Sequence, residues 1–300
     1  MAHSHDHGAL ALNRAFALGV SLNVAFVLVE AVFGVRAHSL ALVADAGHNL
    51  SDVLGLLLAW GAVALGARRP SPRRTYGMRR SSILAALANA ILLLVAVGAI
   101  AAEAIGRLQR PAPVASGVVI TVALIGIGIN AGTALLFLRG RKRDLNLRSA
   151  YAHMAADAAV SAGVVVAAVV MRGTGWLWLD PAVSLAIAAV ITIGTWGLLR
   201  DSVNLALDAV PEGIQPGQVE AYLAGLPGVT AVHDLHIWGM STTHVALTAH
   251  IVKPAIDNED ALLAAACRGL HDRFGIEHAT LQVERNETAA NCGQVPPEVV

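Results

Sequence analysis

Two short stretches of the chain set a histidine one helical turn before an aspartate within apolar sequence. They are His48-Asn-Leu-Ser-Asp52 and His153-Met-Ala-Ala-Asp157. On a helix this i, i+4 spacing puts imidazole and carboxylate on one face. Two such pairs supply two nitrogens and two oxygens, and a tetrahedral shell of that kind suits Zn²⁺. Cu(I) would call for thiolate or thioether, and Ca²⁺ or Mg²⁺ for an oxygen cage. Zn²⁺ needs neutral imidazole and ionised carboxylate, so its binding expels protons. A single pair could equally be a polar contact between helices; two pairs in separate apolar stretches argue for a site. Asp45, three residues before His48, is read as a gate, a proton relay or a fifth group beside the site. Glu30 is expected to face the helix bundle in a hydrogen-bonded role.

The elements that position these residues follow from composition. The chain has 300 residues, 56% hydrophobic and 14% charged, with a mean hydropathy of +0.61. Soluble chains carry about 25% charged residues, so the balance indicates a membrane protein embedded in a lipid bilayer. Formal net charge is zero, which argues against nucleic acid as a partner. Cys267 and Cys292 give no disulfide framework. The polar start MAHSHDHG shows no signal peptide. Six stretches reach the ~20 apolar residues that cross a bilayer: Ala15–Val35, Ser39–Ala67, Ile83–Ile105, Val114–Leu138, Ser149–Met171 and Trp176–Leu199.

Arginines and lysines crowd one side of these spans. They are Arg68, Arg69, Arg73, Arg74, Arg79 and Arg80 in one loop and Arg139, Arg141, Lys142, Arg143 and Arg148 in another, with Arg14 and Arg200 at the outer ends. The opposite side carries Arg36, Arg107, Arg110 and Arg172. Positive residues mark the cytoplasmic side, so both termini are expected in the cytoplasm and the chain in the plasma (inner) membrane. Spans two and five run in opposite directions. Asp52 lies roughly 20 Å from the outer edge and Asp157 roughly 13 Å from the inner edge at ~1.5 Å per residue. In a ~30 Å core the two pairs can meet near the midplane. Charged groups at that depth mark ion paths.

After Arg200 the pattern becomes amphipathic. A helix at Gln215–Ala224, strands at Val229–Ile237 and His244–Val252, a helix at Glu259–Phe274 and a strand at Ala279–Glu284 are expected. The fold class is therefore a polytopic α-helical membrane protein with six transmembrane helices and a C-terminal α-β-β-α-β, ferredoxin-like domain. The expected boundaries are a His-rich tail at 1–13, a transmembrane domain at 14–200, a small α+β cytoplasmic domain at 201–285 and a C-terminal tail at 286–300. The tail domain offers His233, His236, His250 and Glu284, with His271 and His278 nearby. Alternation puts His250 and Glu284 on polar strand faces, whereas His233 shares parity with Leu235 and Ile237 and His236 lies on the other face. Cys267 and His271 share a helix face, for which packing is expected. His3, His5 and His7 form a tract suited to loose metal capture, which Cys292 could join, or a merely solvated tail.

The chain resembles the cation diffusion facilitator family, especially its bacterial zinc/cobalt/cadmium exporters, from about Asn13 to Glu284. The stretches that carry the resemblance are Ser39-Leu-Ala-Leu-Val-Ala-Asp-Ala-Gly-His-Asn-Leu-Ser-Asp52, Arg74-Thr-Tyr-Gly77, Leu84-Ala-Ala-Leu-Ala-Asn89, the His153/Asp157 pair, Asp201-Ser-Val-Asn204, Val210-Pro-Glu-Gly213, Val232-His-Asp-Leu-His-Ile-Trp238 and Thr280-Leu-Gln-Val-Glu284. The resemblance implies a homodimer that exports Zn²⁺ in exchange for protons, with His48, Asp52, His153 and Asp157 as transport ligands. It also implies a metal-binding cytoplasmic domain, with His233, His250 and Glu284 as ligands of a structural or regulatory Zn²⁺. The chain departs from the family at Ser82, where many members carry an acid. The loop after span two has neither the His nor the Asp with which some members bind metal there, so no such site is expected. The alternatives are Co²⁺, Cd²⁺ or Fe²⁺ as main substrate, an uncoupled sensor or channel, and a membrane zinc protease. The protease would need a motif such as His-Glu-x-x-His, and His48 is followed by Asn49.

Overall fold

The computed structural model describes residue 21 and residues 24–138, 145–255 and 258–285. Residues 24–36 are helical (α1). They are followed by α2 (Leu40–Gly66), α3 (Ser81–Gln109), α4 (Ser116–Leu138), α5 (Leu145–Thr174) and α6 (Leu179–Ala206). Each of α2 to α6 is long and apolar enough to cross a membrane. The first expected span lies partly outside the described residues. Leu28, Val35, Leu57, Leu92, Val95 and Ile193 point outward. Such an apolar exterior is suited to hydrocarbon, where helices satisfy their own backbone groups.

The chain divides into two compact units, Met1–Leu57 with Ala88–Gly197, and Leu58–Leu87 with Leu198–Val300. The first packs around Phe26, Leu42, Val97, Val119, Val122, Val164, Met171 and Ile187, interleaved with buried alanines. Small residues let helices approach closely in lipid, where association depends on packing. The tightest approach is at Gly126 of α4. A Cβ there would lie 2.6 Å from Cζ of Phe26. At the start of α2, Asp180 in the first turn of α6 accepts hydrogen bonds from Ser39 Oγ (2.5 Å), the Leu40 amide (2.7 Å) and, at 3.4 Å, the Ala41 amide. One buried carboxylate thus satisfies amides that a helix N-terminus leaves orphaned and complements its dipole.

The second unit holds α7 (Pro216–Ala224), β1 (Ala231–Gly239), β2 (Val245–Val252), α8 (Glu259–Phe274) and β3 (Ile276–Glu284). β1 pairs antiparallel with β2, and β2 pairs parallel with β3 after the α8 crossover. The core is Val219, Leu223, Ile237, Leu247, Ala249, Ile251, Ala266, Leu270 and Ile276. The expected element order is present. β1 carries an irregularity: His233 pairs with His250 and His236 with Thr248, so one strand advances three residues while the other advances two. Asp234, with φ of 51°, takes up the extra residue. The buried stripe of α8 is Leu262, Ala266 and Leu270, and Cys267 is exposed. The packing role expected for Cys267 is therefore corrected, because it lies one residue off that stripe.

Candidate metal sites

The helices bring the membrane-embedded candidates together in the first unit. His48 Nε2 from α2 lies 3.6 Å from Asp157 Oδ1, and His153 Nε2 from α5 lies 3.6 Å from Asp157 Oδ2. The two imidazoles meet edge to face, with centroids 6.1 Å apart. Asp157 is 2% exposed, so both of its oxygens face these rings rather than lipid. Asp52 lies one turn beyond His48 on α2, but its side chain falls outside the described ones.

A second layer of polar groups lies beneath. Asp45 and Glu30 are fully buried and interact with each other. Ser161 Oγ, one turn beyond Asp157, donates to Asp45 Oδ2 at 2.9 Å. Asn49 Nδ2 donates to Glu30 Oε2 at 3.3 Å. The roles of Ser161, Asn49 and Asp180 were missed in the sequence. Ser161 carried a signal, being four residues after Asp157 and therefore on the same helix face.

In the tail domain His233, His250 and Glu284 each offer a donor atom, all within 4.8 Å of one another. Glu284 Oε2 lies 3.0 Å from His233 Nε2, and Oε1 lies 3.0 Å from His250 Nδ1. Edges near 3.3 Å are those of a tetrahedron of N and O ligands at ~2.0–2.1 Å from Zn²⁺. Two imidazoles and a carboxylate also form a donor set Zn²⁺ accepts, so the residues fit the ion. The bulge at Asp234 explains how His233 joins them. Val232, before it, and Leu235 and Ile237, after it, all pack on the core despite their opposite parity. Asp234 holds His236 Nε2 at 2.8 Å and lies 3.6 Å from His250 Nε2. His271 pairs with Asp272 and His278 packs edge-on against Tyr76, so neither joins the trio. His3, His5, His7 and Cys292 lie outside the described residues.

Comparison with known proteins gives two family matches: the cation efflux transmembrane domain over residues 16–205, and the cytoplasmic domain of cation efflux proteins over residues 211–286. The metal cation efflux system protein CzcD of Cupriavidus metallidurans is 36% identical, over 94% of this chain and 89% of its own length. The zinc transporter ZitB of Escherichia coli is 37% identical, over 95% of this chain and 93% of its own. The cadmium, cobalt and zinc/H(+)-K(+) antiporter of Bacillus subtilis is 32% identical, over 95% and 92%.

Proposed function

The chain belongs to the cation efflux family, a family of multi-pass membrane transporters of metal cations, and from that premise we propose that it exports Zn²⁺ from the cytoplasm in exchange for protons. The transport site comprises His48 and Asp52 on α2 with His153 and Asp157 on α5. The observation that carries this reading is the convergence of two imidazoles, from two helices, on the two oxygens of one buried carboxylate. Zn²⁺ as substrate replaces hydration water with nitrogen and oxygen donors. Its arrival displaces protons from the histidines, and protons reaching the same groups from the other side displace it. The site then serves both ions in alternation.

His233, His250 and Glu284 hold a resident Zn²⁺ in the cytoplasmic domain, and the protein acts as a homodimer in the inner membrane with both termini in the cytoplasm. The dimer would give a small tail domain more surface to bury than it has alone. Bacillus relatives named for cadmium and cobalt as well as zinc support a second reading, the same exchange with Co²⁺ or Cd²⁺ as main cargo. Ligand softness separates these ions from Zn²⁺ poorly.

The test is metal flux in proteoliposomes under imposed and reversed pH gradients, with competing divalent cations. Zinc flux should follow the gradient and acidify or alkalinise the lumen accordingly. Flux indifferent to the gradient, with no proton movement, would sink the antiport, and preference for Co²⁺ or Cd²⁺ would transfer the cargo assignment.

A further inference from the structure

Between α2 and α3 the chain runs Ala67-Arg-Arg-Pro-Ser-Pro-Arg-Arg-Thr-Tyr-Gly-Met-Arg-Arg80 without an acidic residue. The segment is built rather than loose. Ser71 and Arg74 exchange backbone hydrogen bonds of 3.1 and 2.9 Å, and the Gly77 amide donates to the Arg74 carbonyl at 2.8 Å. Gly77 has φ of 70°, which a side chain would strain, and a Cβ there would sit 3.3 Å from the Arg68 carbonyl. The turn is also pinned within its unit: Tyr76 meets His278 edge to face at 5.5 Å, and Arg80 is paired with Asp208.

A cleft of about 440 Å³ opens here, lined by Arg73, Arg74, Arg79, Tyr76, Trp238 and Leu84 among others. Arg80 also borders it, but its charge is met by Asp208. Among the described residues no carboxylate pairs with Arg73, Arg74 or Arg79. Three guanidinium groups of one sign are thus held on a fixed turn without a protein counter-charge. Planar guanidinium forks match phosphate oxygens. Tyr and Trp favour the headgroup level of a bilayer, and Leu84, 60% exposed in the first turn of α3, supplies an apolar wall.

We propose that this cleft binds the phosphate headgroup of an anionic glycerophospholipid, with Arg73, Arg74 and Arg79 on the phosphate and Leu84 along the glycerol and upper acyl chain. Free phosphate offers the same anion, but a cleft at the first turn of a membrane-crossing helix lies where headgroups are, and its apolar wall has no use for a bare anion. Basic pockets at the ends of transmembrane helices recognise lipids in this way. The proposal rests on α2 and α3 crossing a bilayer and is independent of which metal is carried.

The test uses the full-length protein in neutral detergent and metal-free buffer. Binding of short-chain phosphatidylglycerol, short-chain phosphatidylcholine and inorganic phosphate is measured by microscale thermophoresis. Phosphatidylglycerol should bind most tightly and weaken as salt is raised. Each arginine at an anionic surface contributes about a fivefold factor, so the triple variant Arg73→Gln/Arg74→Gln/Arg79→Gln should bind about a hundredfold more weakly. Arg79→Gln alone, a milder change, should lose about fivefold. Arg110→Gln, just past the opposite end of α3, should change nothing. Equal binding of the two lipids, salt-independent binding, or full affinity in the triple and single variants would overturn the proposal. So would inorganic phosphate binding as tightly as the lipid, which would assign the cleft to a free anion.

Discussion

Replacing Asp180 by alanine should loosen the start of α2 from α6. The carboxylate is 1% exposed and accepts two short hydrogen bonds, from Ser39 Oγ at 2.5 Å and the Leu40 amide at 2.7 Å. A hydrogen bond to a charged group contributes about 1.5–3 kcal/mol, and a stranded buried amide costs about 1–3 kcal/mol. Removing the buried charge also removes its desolvation penalty, which offsets part of the loss. A net destabilisation of about 3 kcal/mol follows. At ~2–4 °C per kcal/mol for chains approaching this size, the apparent melting temperature in detergent should fall by about 6–12 °C. Asp180→Asn keeps one acceptor and should lose about half as much. The partner makes the test sharper. Ser39→Ala alone should lower the melting temperature, but added to Asp180→Ala it should cost clearly less than it does alone, because its acceptor is already gone and only its hydrogen bond from the Leu42 amide at 3.2 Å is left to lose. A shift under about 2 °C in Asp180→Ala, or full additivity of the pair, would refute the cap.

Asp157→Asn should weaken transport-site affinity for Zn²⁺ by at least about a hundredfold, since even second-sphere losses cost 10–100-fold; vesicle flux with retained folding checks it, and wild-type flux would remove Asp157 from the site. In an Asp157→Asn background, Glu284→Gln should weaken Zn²⁺ binding to the tail domain by about a hundredfold in calorimetric titration. In that background His236→Ala, which removes a partner of Asp234 rather than one of the trio, should cost no more than about tenfold. Gly126→Ala should destabilise by about 1–3 kcal/mol through overpacking against Phe26, and Phe26→Leu should restore part of the melting temperature. Failure of that rescue would locate the strain elsewhere.

Hydropathy made the spans legible because lipid demands about 20 apolar residues whatever the fold. It reports depth rather than helicity, however. The helix expected to end at Leu199 continues to Ala206 through the polar run Asp201-Ser-Val-Asn204. Strand alternation found β1 and β2, yet it could not place His233. One left-handed residue, Asp234, shifts the phase, and a backbone angle leaves no mark in a count of apolar positions. The His-x-x-x-Asp spacing set His153 and Asp157 on one helix face, since both lie within one turn. That His48 reaches across to Asp157, that Ser161 serves Asp45, and that Asp180 caps α2 are pairings over 109, 116 and 140 residues. Such contacts depend on how helices cross, which one sequence does not display.

The division of the chain bears on what counts as a module. The cytoplasmic family match begins at residue 211, but the compact unit around it also takes in Leu58–Leu87 and the last turns of α6. Arg80 reaches Asp208, Ser82 accepts a hydrogen bond from the Thr242 amide at 3.1 Å, and Trp238 and Met240 line the arginine cleft. A fragment cut at the family boundary would keep its sheet and its metal trio but lose these neighbours and bare the indole. Inheritance and packing therefore draw their borders in different places. Swapping tail domains between relatives would transplant the sheet while leaving its dock behind, so a working chimera needs the α2–α3 turn carried over with it.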